Sequence, residues 1–191
     1  MVRVPIGEEW VIKQVMYLGA QSLLIPMIDT GEQAARMVRA TRYASEGVRG
    51  LGAAVARASG FGADADADFV ATAADQVCLL LQAETRLALE NTDDIANTDG
   101  VDCVFIGPAD LSADMGYPGN SGAPEVREAI AHAVSRIKAA GKAAGIIHYD
   151  AADFGYYRKF GINFLGTGAD ASLLRVAMQA NVAAARAAIR D

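Results

Sequence analysis

Residues 77–110 carry the clearest indication of the fold, and their sequence is VCLLLQAETRLALENTDDIANTDGVDCVFIGPAD. Two apolar runs of strand length, residues 78–83 and 101–106, flank a segment of helical periodicity at residues 85–96. An alternation of strand, helix and strand predicts a right-handed βαβ unit, whose two strands are neighbours in a parallel sheet. Both strands then end at the same edge of the sheet, and an acidic residue follows each of them.

The same alternation continues in both directions and predicts an α/β fold of the (β/α)₈ barrel type. Six strands are expected, at residues 2–4, 22–28, 78–83, 101–106, 144–148 and 162–166, with a possible seventh near 51–55. Helices are expected at 9–18, from a Thr30 cap to Arg42, at 69–75, 85–96 and 124–140, around Tyr156, and at 172–190. The last helix is expected to bury Leu174, Met178, Val182 and Ile189.

The length indicates that this barrel is incomplete. A closed (β/α)₈ barrel needs eight strands and usually ~250 residues, whereas this chain has 191 residues. We therefore expect a single domain over residues 1–191, built as a barrel of about six parallel strands.

Composition excludes several classes of function. Hydrophobic residues make up 52% of the chain, and 17 basic against 23 acidic residues give a net charge of −6. Nucleic acid is therefore not an expected partner, because phosphate binding requires a concentrated basic face. We expect no membrane span, since no apolar run reaches ~18 residues, and no signal peptide, since acids stand where its apolar stretch would be. Cys78 and Cys103 are expected to be buried thiols of a cytoplasmic protein.

Reactive residues in parallel α/β folds lie at the carboxyl ends of the strands. The candidates at those positions are Arg3, Asp29, Gln82, Glu84, Asp110, His148 and Asp170. Gln82 and Glu84 are two residues apart and should point to the same side of their strand. Carboxylates on adjacent strand ends form a hard oxygen site that suits Mg²⁺ or Mn²⁺. The alternative is that each acid caps the helix that follows it.

Several longer stretches carry a resemblance to a known family. They are VRVPIGEEWVIKQVMYLGAQSLLIPMIDT (2–30), LLLQAET (79–85), GVDCVFIGPADLSADMGYPGN (100–120) and GINFLGTGAD (161–170). With these stretches the chain resembles the HpcH/HpaI family of metal-dependent 2-oxo acid aldolases. The GPADLSADMGYPGN block is most similar to the 4-hydroxy-2-oxoheptane-1,7-dioate aldolase branch, which acts in the catabolism of aromatic compounds. The resemblance covers essentially the whole chain.

The resemblance implies a reaction and a role for each matching residue. It implies a divalent metal (Mg²⁺, Mn²⁺ or Co²⁺) on Glu84 and Asp110, and pyruvate bound as an enolate beside Gln82. Arg3 would steady the keto or enolate oxygen, and the amides of Ala109 and Asp110 would bind the pyruvate carboxylate. The expected reaction is the reversible cleavage of a 4-hydroxy-2-oxo acid to pyruvate and a small aldehyde. Separately, the open edge of an incomplete barrel favours association, so a homo-oligomer is expected.

One departure concerns the general base. Family members carry roughly two further strand–helix units before the equivalent of Arg3, and the second unit bears the histidine that acts as base. Nothing in this chain corresponds to it. His132 is expected to be exposed on a helix, and His148 ends a strand, where a hydrogen-bonded structural role is expected. Two other functions stay open: a catalytically impaired or partner subunit of such an aldolase, and an acyl-CoA lyase of the same superfamily.

Overall fold

The computed structural model describes residues 1–63 and 67–190 and contains one sheet of six parallel strands. The strands follow one another in the order of the chain: β1 (Val2–Arg3), β2 (Ser22–Ile25), β3 (Cys78–Ala83), β4 (Cys103–Ile106), β5 (Ala143–Ile147) and β6 (Phe164–Gly166). The helices are α1 (Glu9–Tyr17), α2 (Gly31–Thr41), α3 (Ala67–Thr72), α4 (Arg86–Glu90), α5 (Thr92–Ala96), α6 (Pro108–Asp114), α7 (Pro124–Ala139), α8 (Phe154–Phe160) and α9 (Asp170–Arg190). The prediction of an incomplete barrel of about six parallel strands is confirmed.

Several predicted elements have different limits in the structure, among them the helix predicted at 69–75, which is observed as α3 at Ala67–Thr72. The prediction of a possible strand near 51–55 is wrong, because residues Ala53–Val55 form a 3-10 turn. The small side chains of this segment would give a strand little surface to pack against its neighbours. β2 ends at Ile25, three residues early, because Pro26 has no N–H to donate to a ladder. The helix predicted at 85–96 divides at Asn91 into α4 and α5. Residues 64–66, which precede α3, lie outside the described residues.

The sheet has two apolar faces with different neighbours. On the outer face, alternate strand residues such as Leu79 and Leu81 pack against the helices in the main core. On the inner face, Leu24, Leu80 and Phe105 form a smaller cluster with Cys103. Strand side chains alternate between the two faces, so the inner face carries every second residue up to the carboxyl edge.

The structure contradicts the prediction that α9 is buried. Leu174, Met178, Val182 and Ile189 expose 63%, 59%, 49% and 83% of their surfaces, respectively. The helical period of these residues is as expected, but α9 leaves the edge strand β6 and, within the described part of the chain, no helix or strand covers its apolar side. A periodic pattern shows that a helix has an apolar face without showing which surface covers it.

The two cysteines differ in burial. Cys103 is buried in the inner cluster as expected, whereas Cys78 is exposed, so the prediction of a buried thiol is wrong there. Cys78 is the first residue of β3 and lies at the amino end of the sheet, beyond the apolar layer of the inner face. Among the described helices, none combines the length and apolar character needed to cross a membrane.

Candidate active site

Glu84 is the most deeply buried carboxylate among the described strand-end residues, with 1% of its surface exposed. It follows β3 directly, and both of its oxygens accept hydrogen bonds. Oε1 accepts from the backbone N–H of Met27 at 3.0 Å, and Oε2 accepts from the side-chain amide of Gln82 at 2.7 Å. The carboxylate is therefore held in one orientation from two neighbouring strand ends.

Strand alternation places Gln82 and Glu84 together on the inner face. Leu79, Leu81 and Ala83 belong to the outer core, while Leu80 belongs to the inner cluster. The residues of the same parity as Leu80 therefore continue along the inner face towards the carboxyl edge. The predicted same-side arrangement of Gln82 and Glu84 is what the structure contains.

Asp110 approaches Glu84 from the adjacent strand end. β4 pairs with β3, and Asp110 lies in the first turn of α6, which follows β4. The pKa of Glu84 is raised to about 7: burial is the largest cause, the backbone hydrogen bond from Met27 lowers it, and both the negative charge of Asp110 and a side-chain hydrogen bond with Asp110 raise it. Arg3 acts in the opposite direction and lowers the pKa. The site thus holds two carboxylates close enough to repel each other, a situation that a cation relieves.

Gly107 makes this close approach possible. A β-carbon at position 107 would overlap Glu84 Oε2 and stand 3.0 Å from Gln82 Nε2. Any larger residue between β4 and α6 would therefore displace the Glu84 carboxylate or the Gln82 amide.

The donor set fits a hard divalent cation. Glu84 and Asp110 supply carboxylate oxygens, and the Gln82 carbonyl oxygen Oε1 is buried without a hydrogen-bond partner among the described residues. An orphaned buried acceptor beside two carboxylates indicates a missing cationic or hydrogen-bonding group. Among the described residues no group of three or more His, Cys, Asp or Glu is arranged so that it could hold a metal ion, so the remaining positions would fall to water and substrate.

Arg3 lies at the end of the edge strand β1 with its side chain exposed. It is in register with Leu24 of β2, which places both residues on the inner face. Within the described part of the chain Arg3 forms no salt bridge, so its guanidinium is available to a ligand. Its influence on the Glu84 pKa shows that it belongs to the same electrostatic environment.

Two other strand-end acids serve the fold. Asp29 accepts a hydrogen bond from the hydroxyl of Thr85, and its backbone carbonyl accepts another from Asn91, so it ties the β2 end to α4 and α5. Asp170 accepts the backbone N–H of Ala171 at the start of α9. Neither residue joins Glu84 and Asp110: the Asp170 carboxylate caps the start of α9, whereas the Asp29 carboxylate supports Thr85, whose side chain caps α4.

His148 faces away from the inner face. Ala144 and Ile146 of β5 belong to the outer core, and His148 continues their side of the strand. Its Nε2 is 2.9 Å from Asp153 Oδ2, and its ring lies 5.0 Å from that of Tyr157. The expected structural role of His148 agrees with this geometry, and His132 is exposed on α7 as expected.

Sequence reasoning missed Met27. This residue has a φ of 57°, a left-handed conformation that is rare outside glycine and costs of order 1–3 kcal/mol. That conformation accompanies the hydrogen bond from the Met27 N–H to Glu84. The only signal in the sequence was its place after Pro26 at a strand end, which does not reveal a backbone donor.

Comparisons with known proteins show which proteins this chain is similar to. A family model described as HpcH/HpaI aldolase/citrate lyase matches residues 1–177. The hydroxypyruvate/pyruvate aldolase of Roseovarius nubinhibens is 53% identical over 174 residues, which cover 91% of this chain and 67% of that protein. The 2-keto-3-deoxy-L-rhamnonate aldolase of Salmonella gallinarum is 48% identical over 183 residues, which cover 96% of this chain and 68% of that protein.

A solved structure gives the same result for the fold. An HpcH/HpaI aldolase/citrate lyase family protein from Burkholderia cenocepacia J2315 superposes with a TM-score of 0.91 at 37% identity, covering 97% of this chain and 72% of that one. The chain spans about two thirds of the length of the curated relatives that it matches.

Proposed function

The chain belongs to the HpcH/HpaI aldolase/citrate lyase family, and from this premise we propose that its site binds pyruvate and a divalent metal in a class II aldolase. The reaction is the reversible cleavage of a 4-hydroxy-2-oxo acid to pyruvate and a small aldehyde. The observation that carries the proposal is the group formed by Glu84, Asp110 and the orphaned Gln82 oxygen on the inner face.

Glu84 and Asp110 would hold the metal, which is Mg²⁺, Mn²⁺ or Co²⁺ in this proposal. The metal, when bound, supplies a positive charge that stabilises the oxyanion developing on the 2-oxo group. Met27 and Gln82 keep the Glu84 carboxylate in place through their hydrogen bonds. Preorganised donors of this kind need no rearrangement as charge develops.

Arg3 and the start of α6 would orient the substrate. In this proposal the Arg3 guanidinium would donate to the keto oxygen, where negative charge appears as the bond between C3 and C4 breaks. The backbone N–H groups of Ala109 and Asp110 lie in the first turn of α6, where they have no intrahelical acceptor and suit the pyruvate carboxylate. The electrons of the broken bond remain on the enolate, and the aldehyde leaves after the 4-hydroxyl group loses its proton.

The described residues offer no evident base for removing the proton from the 4-hydroxyl group. No residue of the described chain matches the family's general-base histidine, and His148 faces the outer core. We therefore propose that the 191-residue chain stabilises the enolate but transfers the hydroxyl proton poorly, as in a catalytically impaired or partner subunit.

The substrate and setting are also part of the proposal. The relatives are named for hydroxypyruvate, pyruvate and 2-keto-3-deoxy-L-rhamnonate, which supports a hydroxylated 2-oxo acid; a role in the catabolism of aromatic compounds stays a prediction. An acyl-CoA lyase would need a more basic mouth than one containing Glu84 and Asp110. We propose a cytoplasmic homo-oligomer, with the exposed apolar residues of α9 as support for self-association.

Two reactions that share an enolate test this proposal. Oxaloacetate decarboxylation generates pyruvate enolate without removing a hydroxyl proton, whereas aldol cleavage requires that removal. A positioned general base contributes ~10²–10⁴-fold, so with Mn²⁺ the cleavage rate should be lower by about that factor than in the Roseovarius nubinhibens relative. The rate of oxaloacetate decarboxylation should be reduced less, because that reaction needs no base to remove a hydroxyl proton.

Two variants separate the possible explanations. Glu84→Gln should reduce both reactions, and His148→Ala should change neither. Cleavage at a rate typical of the family that disappears in His148→Ala would contradict the proposed role of His148. Absence of both reactions in the wild-type chain with Mn²⁺ would contradict the aldolase function itself.

A further inference from the structure

Arg49 is a buried cation near the amino ends of the strands, whereas the candidate active site lies at their carboxyl ends. It follows α2 in the chain, and 6% of its surface is exposed. Its guanidinium carbon lies 4.4 Å from the centre of the Tyr43 ring, which covers one face of the group. Its Nε is buried without a hydrogen-bond partner, and no acidic side chain among the described residues forms a salt bridge with it.

An unpaired buried guanidinium is costly. Arginine stays protonated at neutral pH, so it cannot avoid the cost of burial by losing its charge. Burial lowers the pKa of Arg49, as expected for a cation removed from water without an anion beside it. Contact with an aromatic face offsets only part of that cost, so the guanidinium edge is suited to an incoming anion.

A cavity of about 340 Å³ adjoins Arg49. Arg57, Gln21 and Gln76 give it further polar groups, while Met16 and Val77 contribute apolar wall. Arg57 donates one hydrogen bond to the Leu18 carbonyl at 3.3 Å, and Gln21 donates to Gln76 at 3.0 Å. The volume is within the range of small-molecule sites, ~300–1,000 Å³.

We propose that this cavity binds a small organic anion, whose carboxylate or phosphate group pairs with Arg49 and Arg57 and whose apolar part contacts Met16 and Val77. A guanidinium fork matches either anion with two parallel hydrogen bonds. Gln21 and Val77 directly precede β2 and β3, so the cavity lies at the amino ends of the strands. Glu84 lies at their carboxyl ends, so this site is separate from the proposed aldolase centre and does not depend on it.

Anion titrations of the metal-free, full chain test the site. Thermal unfolding is followed while inorganic phosphate replaces chloride at constant ionic strength, with malonate as a parallel series. Phosphate or malonate should raise the melting temperature until the site saturates, and the difference between the two series identifies the preferred anion class. Arg49→Gln should weaken the response at least ~10-fold, the effect of losing charge-assisted hydrogen bonds.

Further variants exclude other origins of the shift. Arg57→Gln, at an exposed position, should weaken anion affinity without unfolding the protein. Arg3→Gln should retain the rise in melting temperature with added anion, because Arg3 lies at the carboxyl end of β1 and the cavity lies at the amino ends of the strands. In anion-free buffer Arg49→Gln should melt no lower than the wild type, since the change removes an uncompensated buried charge.

Several results would overturn the proposal. A response that is lost in Arg3→Gln and retained in Arg49→Gln would place the anion at the candidate active site. A large fall in melting temperature for Arg49→Gln without any anion response in the wild type would make Arg49 a purely structural residue. An oligomer that dissociates in Arg49→Gln and ignores phosphate would show that a carboxylate of a second copy fills the cavity.

Discussion

Glu84 has both carboxylate oxygens engaged by uncharged donors, the Met27 N–H and the Gln82 amide. These bonds favour the ionised form, yet burial dominates and raises the pKa to about 7 from the ordinary value of 4.5. In the metal-free protein a raised pKa means that folding favours the protonated form. The contribution of Glu84 to the free energy of unfolding is therefore largest below about pH 4.5 and is lost as the pH rises through about 7.

Metal binding should have the opposite pH dependence, because a cation requires the ionised carboxylate. We expect Mn²⁺ affinity, measured by calorimetry, to increase as the pH rises through about 7. Glu84→Gln should remove this dependence and weaken binding at least ~10-fold. Asp114→Asn, which changes an exposed acid of the same helix as Asp110, is the matched control. Unchanged Mn²⁺ affinity in Glu84→Gln would exclude the proposed metal site.

A substitution at Arg3 tests whether pyruvate binding requires only a positive charge or also the two parallel donors of a guanidinium group. Arg3→Lys keeps the positive charge and loses the planar pair of donors. Because Arg3 is exposed and forms no salt bridge with the described residues, we expect pyruvate affinity in the presence of Mn²⁺ to fall while the melting temperature barely changes. Arg36→Lys, at an exposed position on α2, is the control. A large loss of stability with intact pyruvate binding would assign Arg3 to the fold instead.

Met27 concentrates backbone strain at the site. Its left-handed φ of 57° suits glycine, and 51% of its surface is exposed, so little packing depends on the side chain. Met27→Gly should keep the N–H donor to Glu84 and change the free energy of unfolding by less than ~1 kcal/mol. Met27→Val, with a β-branched side chain, should cost ~1–3 kcal/mol. If Met27→Gly and Met27→Val had equal free energies of unfolding in urea, the backbone at position 27 would not be strained.

At the scale of elements, a polar cluster joins β5 to two helical segments. Asp153 Oδ2 lies 2.9 Å from His148 Nε2 at the end of β5 and accepts a hydrogen bond from Arg127 of α7 at 3.2 Å. The Arg127 guanidinium also lies 4.7 Å from the centre of the Tyr156 ring in α8. One carboxylate therefore fixes the position of the β5 end relative to both helices.

Removing that carboxylate charge should loosen the junction. Asp153→Asn should lower the free energy of unfolding by ~1–3 kcal/mol, because Arg127 and His148 lose a charged, half-buried acceptor. Asp99→Asn, whose side chain is 99% exposed, should have little effect in the same urea titration. Manganese affinity should stay unchanged in both variants, since the cluster faces the outer core; a coupled loss of metal binding would contradict that separation.

At the scale of the whole molecule, α9 is an amphipathic helix whose apolar residues are exposed. Its 21 residues include Leu174, Met178 and Val182, which follow one another at four-residue intervals on one side. An exposed apolar stripe of this length is a surface for association. A second copy of the chain offers the same stripe, so a symmetric contact would bury both.

We expect the chain to form dimers or larger assemblies at micromolar concentration. Met178→Glu combined with Val182→Glu should shift the sedimentation profile towards monomer, while circular dichroism shows that helix content is retained. Ala180→Glu introduces a charge at an exposed position on the opposite side of the same helix and should leave the assembly intact. A wild-type chain that sediments as a monomer would contradict this expectation.

The parallel α/β architecture, its six strands and the Gln82–Glu84 pair could all be predicted from the amino-acid sequence. These features depend on local periodicity: apolar runs, helical spacing and a two-residue strand repeat, each of which is visible in neighbouring residues. The same holds for Asp110, which follows the strand predicted at 101–106 and was therefore expected at the same edge of the sheet as Glu84. The family resemblance rested on the same motifs.

Which surfaces of the strands and helices contact one another could be learned only from the three-dimensional structure. It directed His148 to the outer core, made the Met27 N–H a partner of Glu84, left Arg49 buried without an anion and left α9 exposed. Each of these outcomes joins residues that are distant in the chain or depends on a surface that is absent beside a helix. Local periodicity carries no information about such pairs, because burial is a property of the assembled sheet and its helices.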